Sequence, residues 1–236
     1  MKKIEKDIPV ILNLFNTAKF DLAISKLKRL IRDYPEYIIL YNLLGSAYQN
    51  TGNYNLAKNI FIKGNKMEPD NIAIMNNLAN LYKNNGEIEL SEELFKKIIH
   101  KKPNYINAYV NLGNLKRDCN NFEAAINLYT EALNINDKIP VIFYSLALAY
   151  QGLGKFKLAI EYAEKALILD PKFTQADLLI SQSTKYKHGD QHLNAMNLKL
   201  NNIELNKNQK INLLFALAKA HEDIGEIEKS FAKLSL

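Results

Sequence analysis

Apolar residues recur along the chain in stripes of helical spacing. Tyr41, Leu44, Ala47 and Tyr48 fall at i, i+3, i+6 and i+7, one face of a first helix, and Tyr54, Ala57, Ile60, Phe61 and Gly64 draw the same stripe on a second. The pair is then rewritten. "YNLLGSAYQNTGNY", Tyr41 to Tyr54, returns 34 residues later as "MNNLANLYKNNGEI" and after 34 more as "YVNLGNLKRDCNNF". Aligned on the glycine of "LLGSAY", five blocks follow one another without a gap at 4–37, 38–71, 72–105, 106–139 and 140–173, with two looser blocks at 174–210 and 211–236. The turns "NTGN", "NNGE" and "GLGK" supply a residue without a side chain, which a tight interhelix turn needs. Pro69, Pro103 and Pro171 stop the second helix. Small residues at Gly45 and Ala57, Gly113 and Ala125, and Ala147 and Ala159 allow close helix approach.

A helix pair of this size cannot bury both apolar faces alone, so each block needs its neighbours and the pattern predicts a solenoid. The spacing and residues resemble tetratricopeptide repeats, whose pattern is W-x2-L-G-x2-Y, then A-x3-F, then P. The second block matches with Tyr41, Leu44, Gly45, Tyr48, Ala57, Phe61 and Pro69, and the third with Met75, Leu78, Ala79, Tyr82, Ser91, Phe95 and Pro103. The fourth carries Lys116 at the tyrosine position and Asp137 where proline belongs. The resemblance implies an all-α, right-handed superhelical solenoid of helix-turn-helix units whose first helices line a concave groove. Block 4–37, with Pro9 and no Leu-Gly pair, is expected to be a degenerate cap. Block 174–210 is expected to form a degenerate pair about Gly189. Block 211–236 breaks off 26 positions into a 34-residue unit, as a truncated seventh repeat with Ile227, Phe231 and Leu234 as the inward stripe of its last helix.

Composition changes this picture little. The net charge of +6 invites a nucleic-acid reading, but no block exceeds +3, so no stripe concentrates charge as phosphate tracking requires. No run of about 18 apolar residues predicts a membrane span. A lone cysteine, Cys119, allows no internal disulfide and suits a reducing compartment, so cytoplasm is expected. "HGDQH" sets His188 and His192 four apart, a metal-binding spacing only if one helix carries both, and Gly189 interrupts it. No phosphate-binding, nucleotide-binding or hydrolase motif is present, so neither catalysis, cofactor nor metal is expected.

The resemblance places groove-facing side chains at set positions of each first helix. These are Asn42 and Gln49 in the second block, with Ser46, and Asn76, Asn77, Asn80 and Lys83 in the third. The fourth gives Asn107, Asn111, Asn114 and Arg117, and the fifth Tyr144 and Gln151. Amides carry donors and an acceptor, so such a row can clamp the main chain of an extended peptide, as in the asparagine ladder of O-GlcNAc transferase. With 30 asparagines in the chain, compositional bias is the competing explanation. Asn42, Asn76 and Val110 at the fifth positions do not suit a carboxylate clamp. Finally "FALAKAHEDIGEIEKSF", Phe215 to Phe231, resembles the junction of bacterial proteins in which these repeats precede a sulfotransferase domain. The expected partner is a protein, an extended peptide or a downstream domain of the same protein. The alternatives are a sulfotransferase fragment whose repeats only support a missing domain, and the repeat segment of an O-GlcNAc transferase-like glycosyltransferase.

Overall fold

The computed structural model describes residues 3–235, and among them every regular element is a helix. The chain divides into two compact units, 1–108 and 109–236. In the first lie α1 (Lys3–Asn16), α2 (Phe20–Asp33), α3 (Ile38–Asn50), α4 (Tyr54–Met67), α5 (Ile72–Asn84) and α6 (Ile88–Lys101), and α7 (Ile106–Asp118) begins there. The second holds α8 (Phe122–Ile135), α9 (Pro140–Gly152), α10 (Phe156–Leu169), α11 (Thr174–Ser183), α12 (Gln191–Asn202), α13 (Lys207–Asp223) and α14 (Ile227–Leu234).

Within each unit a helix packs on the helix before it and the helix after it: α2 on α3, α3 on α4, α4 on α5, and likewise α8 through α11. First helices also meet first helices, α3 with α5 and α9 with α11. The residues of the apolar stripes fill these contacts. Tyr41, Leu44, Phe61, Met75 and Leu78 are buried in the first unit and Tyr129, Leu146 and Ala163 in the second. The small positions are small because aromatic rings occupy the space: a Cβ added at Gly45 would lie 2.4 Å from Cε1 of Phe61. In the register of Ala57 the third block has Ser91, whose buried hydroxyl donates to the Ala79 carbonyl at 2.8 Å, so the polar atom is satisfied.

The turns between helices need a left-handed residue. Gly86 adopts φ +77° and ends α5 with the Glu87 N–H donating to the Tyr82 carbonyl at 2.8 Å. In "RDCNNF", which lacks glycine, Asn120 takes the same conformation at φ +58°, tolerable because its short polar side chain populates that region. Pro9 lies inside α1.

Two parts depart from the periodic pattern. In block 174–210, α11 packs directly on α13, and α12 lies on α13 as well. The second departure corrects the expectation for α14. Its stripe faces outward: Ile227, Phe231 and Leu234 are 49%, 68% and 52% exposed, while Ser230 is the buried residue. Ser230 holds the register of Ala57 and Ser91, and that register decides which side meets the preceding helix.

Candidate functional site

In the first unit, α3 and α5 lie side by side and bring two of the expected amides into contact. Asn77 Nδ2 donates to Asn42 Oδ1 at 2.8 Å, a bond between residues 35 apart that only the stacking of successive repeats makes possible. Asn80 Nδ2 turns back to the Asn76 carbonyl one helical turn earlier at 3.0 Å. Asn76 and Lys83 are engaged too. Gln49 is half-buried and Asn107 exposed.

The second unit repeats the arrangement with other partners. Gln151 Nε2 on α9 donates to Ser183 Oγ on α11 at 3.1 Å, again between neighbouring first helices. Asn114 Oδ1 accepts from the Tyr129 hydroxyl at 2.8 Å. Burial pushes that phenol up to about 12, so it keeps its proton and remains a donor. Tyr144 sits edge-on to Phe173 with ring centroids 5.3 Å apart, and burial raises it as well. Arg117 pairs with Asp118 at 3.2 Å, and Asn111 is half-buried and engaged. Asn77, Asn80, Asn111 and Asn114, expected to be exposed, are all half-buried; Asn77 and Asn114 lean on neighbouring helices and Asn80 on its own backbone. Replacing Asn77 with alanine should cost about 0.5–1.5 kcal/mol for its one neutral hydrogen bond. A double-mutant cycle with Asn42→Ala, read by urea denaturation, should show coupling of that order. Strict additivity would mean the amides do not meet.

Sequence reasoning missed a polar cluster in the second unit. Asp177 occupies the register of Tyr41, Met75, Tyr109 and Phe143, and is 1% exposed. Its carboxylate accepts from Lys199 Nζ at 2.8 and 2.6 Å and lies 3.2 Å from His192 Nε2, so both α12 residues fasten that helix to α11. His192 Nδ1 meets the hydroxyl of buried Tyr186 at 2.6 Å. Burial first, and then the negative charges of Asp190, Asp177 and Asp223, raise the Tyr186 phenol, so it keeps its proton and has one to share with Nδ1, while Nε2 faces Asp177. Burial would also raise Asp223, but hydrogen bonds from Lys219 and the Tyr186 N–H, with the charges of Lys219 and Lys185, outweigh it and hold that carboxyl below its usual value. Asp190 caps α12, accepting from the His192 and Leu193 N–H groups, and Gly189 at φ +82° precedes it, so His188 and His192 do not share a helix. The legible signal was a carboxylate on an otherwise apolar stripe.

The stacked helix pairs define an all-α repeat solenoid, a class whose surfaces hold other proteins, and among the described residues no group of three His, Cys, Asp or Glu side chains is placed to hold a metal ion. The chain belongs to the tetratricopeptide-repeat proteins. Four models of that repeat match residues 38–71, 72–101, 113–154 and 140–173. No curated protein matches the sequence. Among solved structures, the C-terminal part of a TPR repeat-containing protein from Cytophaga hutchinsonii superposes with a TM-score of 0.66 at 15% identity, covering 96% of this chain and 92% of that one. A thermophilic TPR protein of Thermus thermophilus gives 0.64 at 18% identity, over 76% and 97%. The APC/C hetero-tetramer Cut9-Hcn1 gives 0.68 at 16% identity, over 94% of this chain and 45% of that chain. At these identities the likeness shows the fold. Among the described residues no helix is long and apolar enough to cross a membrane.

Proposed function

We propose that the chain is a non-catalytic scaffold that binds an extended segment of a partner protein along the polar faces of its first helices. The observation that carries this reading is the contact between side chains of neighbouring first helices, Asn42 with Asn77 and Gln151 with Ser183. An amide making one such bond retains capacity for another, which suits the alternating C=O and N–H groups of a peptide main chain. The neighbour Cut9-Hcn1 is itself a protein assembly, in keeping with this use of the fold. The groove residues proposed are Asn42, Gln49, Asn76, Asn77, Asn80, Lys83, Asn107, Asn111, Asn114, Arg117, Tyr144 and Gln151.

The test is a titration of a random library of unstructured peptides, followed by affinity measurement of the selected ones. Changing Asn77, Asn80, Asn111 and Asn114 together to alanine should weaken binding at least tenfold while circular dichroism stays helical. Unaltered affinity would refute the amide row, and a steep loss of binding with salt for nucleic acid instead of peptide would favour a phosphate-tracking surface. On the resemblance of Phe215 to Phe231 we further propose that the scaffold serves an attached sulfotransferase domain. A reading frame continuing from Leu236 into such a domain supports this, and one continuing into anything else refutes it.

A further inference from the structure

One position of the second helices is apolar in four of the first five blocks. Ile31, Ile99, Leu133 and Leu167 hold it in α2, α6, α8 and α10, and all four are half-buried. In α4 the same register carries Asn65. The amide oxygen of Asn65 is closed off from solvent and finds no hydrogen-bond donor among the described residues, an arrangement that costs stability and that the hydrocarbon side chains of the other blocks avoid. Exchanging a branched hydrocarbon for a shorter amide also opens the side of the helix.

Beside Asn65 a cavity of about 280 Å³ lies between α4 and α6. Its lining is mainly apolar: α5 contributes Leu78 and Tyr82, α4 contributes Ile62, and α6 contributes Leu94 and Leu90, the last of these 44% exposed. Lys58 of α4 bridges to the start of α6, paired with Glu87 at 2.6 Å and lying 5.1 Å over the Tyr82 ring. The other two lining residues are charged. Lys66 comes from α4 and Glu93 from α6, both are exposed, and neither makes an ion pair or hydrogen bond among the described residues. The cavity lies inside the run of repeats, with each of its three helices followed by another, so an added repeat would not fill it.

We propose that this groove is a docking site for a helical segment of a partner protein that carries one apolar anchor flanked by an acidic and a basic residue. The anchor fills the cavity, as central apolar anchors do in protein interfaces, while the acid pairs with Lys66 and the base with Glu93. A helix presents side chains three and four apart on one face, so a short stretch of it carries all three groups. Charge complementarity selects this occupant. A purely apolar segment would leave both ions to be desolvated without a partner, and an anionic surface, whether nucleic acid or lipid, would set its phosphates against Glu93. The cavity shares no residue with the amide row and does not depend on the peptide-binding reading.

The probe is a displayed library of alanine-based helical peptides with a central leucine and with alanine, glutamate or lysine three and four places before and after it, selected against the full chain. Enriched peptides should carry glutamate on one side of the leucine and lysine on the other. Selection on a Lys66→Glu chain should replace that glutamate with lysine, and selection on Glu93→Lys should make the opposite exchange. Asn65→Leu separates binding from folding: it restores the apolar register and fills the cavity, so the urea midpoint should hold or rise while affinity for the selected peptides falls at least tenfold. Absence of enrichment on the parent chain overturns the proposal, as does a charge pattern indifferent to both reversals, or full affinity for Asn65→Leu. In sedimentation equilibrium, a dimer that Lys66→Glu converts to monomer would assign the groove to a second copy and overturn a partner segment.

Discussion

Asp177→Ala is expected to be the most damaging single substitution in the second unit, lowering stability by about 3–5 kcal/mol, the usual consequence of removing one member of a buried ion pair. Asp177 lies at 1% exposure and its carboxylate holds Lys199 in two short hydrogen bonds and faces His192. Alanine would leave the ammonium of Lys199 buried without its counter-charge, and the link between α11 and α12 would be lost. The effect should be local. Hydrogen exchange should rise across α12 and the adjoining part of α13, while α3 to α5 keep their protection. Replacing the pair together, Asp177→Leu with Lys199→Met, restores the apolar character of the register and should recover most of the loss, since a packed apolar pair is often as stable as a buried ionic one. If the single change is neutral, α12 is held by Leu193 and Met196 instead, and the cluster is incidental.

Gly45→Leu is expected to cost about 1–3 kcal/mol, the range for overpacking a filled core, and to fall at its upper end. The first added carbon already meets Cε1 of Phe61 at 2.4 Å, and that ring is fully buried and cannot swing aside. Gly113→Leu should behave alike, because Tyr129 Cε1 stands 2.5 Å from the corresponding position. The effect separates steric demand from glycine's conformational freedom, since Gly45 and Gly113 are ordinary helical residues whereas Gly86 adopts positive φ with open space around it. Urea midpoints of the two leucine variants that match the parent's would mean that the helix pairs are in another register.

Most of this architecture could be read before any coordinates, because a helix pair that recurs every 34 residues leaves the small, aromatic and turn positions in fixed register. What the pattern could not settle was orientation where the register was carried by one residue. In α14 the three large apolar side chains draw an amphipathic face of their own, yet Ser230, in the small-residue register, is the one that turns inward. The amides lie on α3, α5, α7 and α9, and their pairing depends on the stagger between neighbouring helices. That stagger sets Asn77 against Asn42 and Gln151 against Ser183, a serine that the repeat pattern does not mark. The cluster around Asp177 was hidden for a different reason: the carboxylate stands out on its stripe, but its partners Lys199, 22 residues on, and His192 lie outside any local pattern.

The nearest-neighbour packing within each unit has a consequence for how the protein is made. A helix pair meets its structural partners within roughly one further repeat of chain, so little loop-closure entropy has to be overcome before contacts form. Synthesis from the N-terminus therefore delivers each stabilising surface soon after the element that needs it. Pairs can consolidate in order while the remainder is still on the ribosome, and the growing chain exposes at any moment only the apolar flank of its newest pair.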